Sequence, residues 1–209
     1  MIVFSVFIGL ILPQRAGYNE YYMRKFFAAF LEVLEVAVIA VGVVFLVRTF
    51  LVQPFLVSGS SMSPNFSNGD YVLVDELTYD LRAPQRGEVV VFHDPQDYST
   101  YFIKRIIGLP NERVTIKNDT ITVFNADHPQ GFALGESYLP KGTDTSGNYD
   151  FTLSSSTYLL LGDNRPASYD SRIWGPLPTK GIVGLVRVRL WPLNEVTAFA
   201  APQYGQNEN

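Results

Sequence analysis

One long apolar run constrains this chain more than any other feature. Residues 26–57 read FFAAFLEVLEVAVIAVGVVFLVRTFLVQPFLV, with no charge between Glu35 and Arg48. Apolar residues cover every face of this segment, which is typical of a helix that contacts lipid or is completely buried. Continued past Arg48 to Val52, the helix after Glu35 is about 25 Å long, close to the hydrocarbon thickness of a bilayer once flanking side chains such as Arg48 snorkel outward. We predict a transmembrane anchor over residues 26–53, with a buried core helix as the alternative.

The composition of the whole chain is that of one folded domain with an apolar segment, and it limits the kinds of functional site that the chain can contain. Charged residues make up 17% of the 209 residues, below the usual quarter, and the net charge is −4. Because no polybasic cluster accompanies that charge, a nucleic-acid partner is not expected. The chain has no cysteine, which excludes disulfides, thiolate nucleophiles and cysteine metal sites.

Basic residues near the ends of the anchor predict its orientation. Arg15, Arg24 and Lys25 precede it, whereas no lysine or arginine follows Arg48 until Arg82. Loops rich in lysine and arginine stay on the cytoplasmic side. We therefore expect a protein of the cytoplasmic membrane, with everything after residue 53 on the extracytoplasmic face.

Residues 1–25 form a short apolar segment and a cytoplasmic flank. Residues 1–13, MIVFSVFIGLILP, would span only about 18 Å as a helix, too little for comfortable crossing of a bilayer. We favour an interfacial or re-entrant segment, and a cleaved signal or a second span stays open.

After the anchor, the pattern changes to short β-branched and aromatic runs separated by Gly, Pro, Asn and Asp. No amphipathic helix interrupts them, so residues 54–195 are predicted to form a mainly β domain built on an antiparallel sheet. Residues 125–156 are expected to be a loop-rich excursion and residues 196–209 a flexible tail. The predicted strands cover residues 71–74, 88–92, 101–107, 113–116, 120–124, 157–162 and 181–191.

The stretch SGSSMSP, residues 58–64, offers serine nucleophiles but needs a base to activate one of them. His93 and His128 each lie beside a proline, and we expect both to be solvated loop residues. Among the lysines, Lys104 alone is embedded in a strand, YFIKRIIGLP, where burial would lower its pKa and leave a neutral amine. An edge-strand lysine that discourages aggregation is the alternative reading.

Five motifs follow the apolar run in order: SSMSPNF, GDYVLVDEL, RGEVVVF, FIKRIIGLP and LGDNRPASYDSRIWGPLP. Together they resemble the ordered motif series of the bacterial type I signal peptidases, membrane-anchored Ser-Lys proteases. The resemblance runs from about Phe30 to Leu190. Each motif alone is weak or moderate, whereas all five in order after a membrane span are highly specific.

The resemblance implies roles for individual residues. Ser61 would be the nucleophile, Lys104 its general base and Ser168 the hydroxyl that orients the lysine. Supporting positions beside the site would be Gly162, Asp163, Asp170, Arg172 and Arg105. The substrate groove would be lined by Phe55, Val57, Met62, Val91, Phe102 and Ile103. Gly59 stands where many relatives have an oxyanion-binding serine, so the second donor would be Ser58, Ser60 or water.

The implied activity is removal of N-terminal signal peptides from exported preproteins after small residues, in an A-x-A pattern. The implied partners are signal peptides and the lipid bilayer, with no cofactor, no metal and no nucleic acid. Two alternatives stay open on the sequence alone: a self-cleaving repressor-type Ser-Lys protease, and a catalytically inactive membrane-tethered β adaptor.

Overall fold

The computed structural model describes residues 18–50, 52–202 and 204, so the predicted segment 1–13 lies outside the described residues. The chain divides near residue 48 into a helical unit and a β unit. Helix α1 (Tyr18–Phe50) has 33 residues. Within the described residues, its segment Tyr21–Val44 is the one stretch long and apolar enough to cross a membrane, and its side chains are exposed. The apolar N-terminal helix is thus as predicted and fits membrane anchoring.

Helix α1 begins eight residues before the predicted start at residue 26. The extra turns read YNEYYMRK, a polar and aromatic stretch that an apolar pattern does not include. A helix does not have to end where its apolar residues end, because its backbone hydrogen bonds do not depend on hydropathy. At the other end, the helix stops at Phe50 and strand β1 has begun by Val52.

The β unit contains short strands and two single-turn helices. The strands are β1 (Val52–Leu56), β2 (Tyr71–Asp75), β3 (Val89–His93), β4 (Tyr101–Gly108), β5 (Arg113–Lys117), β6 (Thr120–Phe124), β7 (Phe132–Ala133), β8 (Tyr149–Thr152), β9 (Thr157–Leu161), β10 (Leu177–Pro178), β11 (Ile182–Trp191) and β12 (Thr197–Ala198). The helices are α2 (Thr78–Leu81) and α3 (Ser171–Trp174), and 3₁₀ turns cover Arg165–Ala167, Thr179–Gly181 and Leu193–Glu195.

All strand pairs of the described residues are antiparallel and form two sheets, which confirms the predicted mainly β architecture. The larger sheet has the order β1-β2-β11-β3-β4-β9-β10, with β12 added to β11. The smaller sheet has the order β7-β6-β5-β8. Its central hairpin turns through Asn118 and Asp119, which both have positive φ as a two-residue hairpin turn requires.

Two regions differ from their sequence-based description. The excursion over residues 125–156 contains β7 and β8, which complete the smaller sheet. These strands have two and four residues, too few for alternation to be read from sequence.

The described part of the expected tail is packed on the β unit. Strand β12 pairs with β11, the Phe199 ring lies 4.4 Å from the Phe66 ring, and Tyr204 packs against the core of the smaller sheet. Aromatic burial holds this segment in place.

Apolar clusters cover both faces of the larger sheet. Successive residues of β3 alternate between them: Val89 and Val91 belong to one cluster, and Val90 and Phe92 to the other. Burial on both faces explains why this strand reads as a continuous apolar run. The neighbouring strand β4 is enclosed in the same way, so a charged side chain on it is removed from water.

Candidate active site

The serine-rich stretch forms a loop whose two ends are paired. The Val57 N–H donates to the Asp70 carbonyl at 2.8 Å, and the Gly69 N–H donates to the Val57 carbonyl at 2.9 Å. Within the loop, Gly59 has a φ of +91°, a conformation that residues with a Cβ rarely adopt. Its N–H donates to Asn68 Oδ1 at 2.9 Å. These bonds fix the path of the chain immediately before Ser61.

Ser61 and Lys104 meet although 43 residues separate them in the sequence. Lys104 Nζ lies 2.7 Å from Ser61 Oγ and donates to the Ile103 carbonyl at 2.9 Å. At 2.7 Å, the serine hydroxyl can donate to a neutral amine, which is the arrangement that proton removal requires.

The environment of Lys104 favours its neutral form. The residue is 3% exposed, and its Nζ lies 5.5 Å from the centre of the Phe102 ring. Loss of water lowers the pKa of the Lys104 amine from 10.5 to about 8, although the carboxylates of Asp170 and Asp163 oppose this shift. At pH 7, about one molecule in ten then carries the free amine, against about one in three thousand for an ordinary lysine.

A second chain segment, Gly162–Asn164, clamps the serine loop. The Asn164 N–H donates to the Ser61 carbonyl, and the Asn164 side chain donates to the Ser60 carbonyl, both at 3.0 Å. A Cβ on Gly162 would lie 2.1 Å from Ser168 Oγ and 2.5 Å from the Ser61 carbonyl oxygen. Only glycine lets this segment pass so close to the nucleophile.

The predicted charged positions form a buried network behind the clamp. Arg105 makes a bidentate ion pair with Asp163, with distances of 2.8 and 2.6 Å, and Asp163 also accepts from Asn65 Nδ2 at 2.8 Å. Asp170 caps α3 and accepts from the Gly162 N–H at 3.0 Å. It also binds the Arg172 guanidinium. These carboxylates are saturated with donors, which suits a structural role.

Ser168 lies beside the site but makes no hydrogen bond to any described residue. Its Oγ is buried and stands next to Gly162. The expected contact with the Lys104 amine is therefore not made in this structure. A buried hydroxyl without a partner is costly, so such a group commonly serves a function.

A cleft opens beside the two catalytic candidates, which both line it. Five of the six predicted groove residues line it: Phe55, Val57, Val91, Phe102 and Ile103. Met62, the sixth, is 1% exposed and packs in the core beneath the loop, where its sulfur accepts from the Asp163 N–H at 3.4 Å. It is too deeply buried to meet a substrate. The sequence reading missed three further lining residues, Leu56, Val72 and Tyr101, and it named a fourth, Ser58, only as a possible oxyanion donor.

Sequence reasoning also missed the role of Arg165. Its guanidinium is completely buried, pairs with Glu136, donates to Thr145 Oγ1 at 2.7 Å and binds the Gly162 carbonyl at 3.0 Å. It thereby ties the excursion over residues 125–156 to the clamp. The sequence feature that could have indicated this role is the position of Arg165 inside the motif LGDNRPAS, where the neighbouring residues form the clamp.

The two histidines take no part in this arrangement. His93 is the last residue of β3 and stacks on Tyr98, with ring centres 4.0 Å apart, while His128 contacts Phe132 in the smaller-sheet region. Among the described residues, no group of three or more His, Cys, Asp or Glu side chains could hold a metal ion.

Comparison with known proteins places this geometry in a family. A family model described as signal peptidase, peptidase S26, matches residues 30–191. The chain belongs to the signal peptidase family S26. It is therefore a peptidase, and the resemblance drawn from the five motifs is confirmed.

Two members of the family align over most of the chain, and a solved structure of another aligns over half of it. A probable signal peptidase I-2 of Synechocystis is 34% identical over 175 residues, covering 80% of this chain and 76% of that protein. Signal peptidase IB of Staphylococcus aureus is 32% identical over 162 residues, covering 72% of this chain and 84% of that protein. A crystal structure of a signal peptidase I from Enterococcus faecalis is 28% identical, with a TM-score of 0.42, and the alignment covers 50% of this chain and 97% of that one.

Proposed function

We propose that this signal peptidase is a membrane-anchored serine endopeptidase in which Ser61 is the nucleophile and Lys104 the general base. The observation that carries the proposal is the 2.7 Å separation between Ser61 Oγ and a buried Lys104 amine whose pKa is lowered to about 8. A hydroxyl next to a neutral amine is an activated nucleophile without any histidine.

The proposed reaction has two steps, acylation of Ser61 and hydrolysis of the acyl-enzyme. Lys104 Nζ accepts the Ser61 proton as Oγ attacks the scissile carbonyl, and the resulting ammonium then protonates the leaving amine. This gives an acyl-enzyme and a free mature protein. Water, deprotonated by the same amine, hydrolyses the ester and returns the proton to Ser61. The buried site strengthens each of these interactions because little water competes.

The developing oxyanion needs hydrogen-bond donors in the cleft. The Ser61 N–H makes no hydrogen bond within the described chain and is therefore available. The Gly59 N–H is already used by Asn68. Ser58 lines the cleft and its hydroxyl has no partner among the described residues, which supports it as the second donor.

We assign Ser168 to holding the lysine during turnover. Its buried Oγ lacks a partner and adjoins the Ser61 loop through Gly162. A hydroxyl in this position can accept from the Lys104 ammonium once Ser61 has become acylated and no longer binds it.

The substrates proposed are preproteins whose signal peptides end in small residues. Most side chains that line the cleft are apolar, and the cleft lies between β1 and β4, two strands that are not paired with each other. An extended peptide fits between such strands through its backbone, and its alternate side chains enter the cleft. Helix α1 would anchor the enzyme in the cytoplasmic membrane, with the β unit on the extracytoplasmic face as the basic residues before it indicate. Sharing a membrane with the substrate raises the effective concentration.

Cleavage of a preprotein by the detergent-solubilised full chain tests this proposal. Ser61→Ala and Lys104→Ala should each reduce kcat by at least about a thousandfold, because each removes an essential partner of one unit. Ser67→Ala, on the exposed part of the same loop, and Lys117→Ala, at the exposed end of β5, are matched controls that should retain activity. A folded Ser61→Ala or Lys104→Ala protein that still cleaves would refute the assignment.

A further inference from the structure

The segment after β11 returns to the body of the β unit and is held there by two aromatic side chains. We call its described residues, 197–202 and 204, the strap. Strand β12 pairs with β11, and the Phe199 N–H donates to the Arg187 carbonyl at 2.8 Å. Phe199 packs on an apolar cluster of the larger sheet, and Tyr204 packs on the core of the smaller sheet. The strap therefore connects the two cores.

The first anchor of the strap, Phe199, packs against the loop that carries the nucleophile. Its ring centre lies 4.4 Å from that of Phe66, which is completely buried and whose N–H donates to the Met62 carbonyl at 3.0 Å. Met62 follows Ser61 directly and belongs to the same apolar cluster. The Phe199 ring therefore supports the turn that leads away from Ser61.

The second anchor, Tyr204, covers Gly87 together with Pro202. A Cβ on Gly87 would lie 2.6 Å from Tyr204 Cε2 and 2.7 Å from Pro202 Cδ, so both rings touch this residue. The Gly87 carbonyl accepts from Arg105 Nη1 at 2.8 Å. Arg105 is 5% exposed and borders one cavity together with strap residues, Ala201 among them. The strap thus forms part of the wall that keeps water from the Arg105 guanidinium.

Arg105 connects this wall to the catalytic pair. It follows Lys104 on β4, and its ion pair with Asp163 is buried. Asp163 is the middle residue of the clamp that holds the Ser61 loop. The attraction between two charges is strong only while water is excluded, so the cover over Arg105 helps to fix the clamp.

We propose that the strap positions the catalytic pair, with Tyr204 and Phe199 as its positioning residues. This inference rests on the proposed function and adds residues that lie outside the cleft, since neither ring lines it. Tyr204 acts through Arg105 on the clamp, and Phe199 acts through Phe66 on the serine loop. Both keep the nucleophile at hydrogen-bonding distance from the catalytic amine, and a small displacement is costly because the reaction needs close geometry.

Steady-state cleavage of a preprotein with Ala at −3 and −1, by the full chain in detergent, tests the proposal. Tyr204→Ala should lower kcat at least about tenfold and change KM less than about twofold, because the clamp shifts while the cleft stays intact. Phe199→Ala removes the other anchor and should produce the same split between kcat and KM. Tyr204→Phe keeps the ring over Gly87 and should retain the wild-type kcat.

Salt dependence separates positioning from a general loss of stability. The pair of Arg105 and Asp163 is buried beneath the strap, and it becomes open to screening ions once the Tyr204 ring is removed. From about 0.1 to about 1 M NaCl, the ratio of variant to wild-type kcat should fall at least about threefold for Tyr204→Ala and stay constant for Tyr149→Ala. Tyr149 packs on the same core as Tyr204 and stacks on Phe151, so its removal loosens that core without uncovering Arg105.

The outcomes are distinguishable. Wild-type kcat in folded Tyr204→Ala and Phe199→Ala would overturn the inference, and so would a kcat loss and salt response of the same size in Tyr149→Ala. A salt response of Tyr204→Ala equal to that of the wild-type protein would overturn the route through the buried ion pair. If Tyr204→Ala does not fold, Tyr204→Leu gives a smaller cover and carries the same expectations. The proposed function would survive each of these results, since it depends on the loss of cleavage in Ser61→Ala and Lys104→Ala.

Discussion

Burial of an amine that must be uncharged should make Lys104 a destabilising residue, and its replacement by methionine tests this directly. Methionine has a similar length and no charge, so Lys104→Met keeps the packing beside Phe102 and Ser61 while it removes the ionisable group. The variant will be inactive. The informative quantity is its free energy of unfolding compared with that of the wild-type protein.

The expected magnitude follows from the pKa of Lys104. A pKa that falls from 10.5 in the unfolded chain to about 8 in the fold means that the ammonium form is about 3 kcal/mol less favourable in the folded protein. Between pH 8 and 10.5 the unfolded chain binds the extra proton, so wild-type stability rises with pH in this window and is lowest below pH 8. The stability advantage of Lys104→Met should therefore fall by about 2.5 kcal/mol from pH 7 to pH 10.

The loss of two hydrogen bonds in the variant does not alter this pH trend. Lys104 Nζ contacts Ser61 Oγ and the Ile103 carbonyl, and removal of both costs about 1 kcal/mol each at every pH. At pH 7 the net gain should therefore be about 1 kcal/mol, and at pH 10 the variant should be less stable than the wild-type protein.

Urea denaturation of the solubilised full chain provides the measurement. It is followed by tryptophan fluorescence, to which Trp174, packed on Phe92, and Trp191 both contribute. Lys117→Met, at an exposed position, is the control and should shift stability by less than about 0.5 kcal/mol. If the difference between Lys104→Met and wild type does not change with pH, burial does not disfavour the ammonium. The assignment of Lys104 as general base would then lose its physical basis.

Three other predictions concern the same site. The kcat/KM of the wild-type protein should rise with pH to a half-maximum near 8, because the lowered pKa of Lys104 sets the fraction of free amine, and a half-maximum above pH 10 would contradict it. Asp163→Ala should lower the unfolding free energy by about 3 kcal/mol, since it leaves the buried Arg105 without its carboxylate, whereas Asp150→Ala, in an exposed ion pair, should leave the unfolding free energy nearly unchanged in the same denaturation assay. Gly162→Ala should reduce kcat more than a hundredfold and cost about 1–3 kcal/mol by forcing the clamp away from Ser61, and wild-type kinetics would show that the contact is unimportant.

The sequence by itself determined the apolar helix, the strand pattern and Lys104 as the candidate base, whereas Ser61 was singled out by the resemblance of the five motifs to a known family. Each of these is a local property: an apolar run long enough to form a membrane-spanning helix, β-branched runs between turn residues, and a lysine flanked by Phe102, Ile103 and Ile106. Local sequence patterns predict these features because the secondary structure of a segment depends mainly on the residue types within that segment and their spacing. The sequence reading was weakest for very short strands such as β7, where two residues carry no period.

Only the tertiary structure decided which side chains face the same space. Met62 follows the proposed nucleophile directly, yet the turn of the loop points it into the core and away from the cleft. Tyr101 became part of the cleft because the fold brings β4 close to β1, where its ring contacts that of Phe55. Such contacts depend on how strands distant in sequence are arranged, and no neighbouring residue encodes them. The proximity of Ser61 to Lys104 and the burial that lowers the lysine pKa are products of that same arrangement.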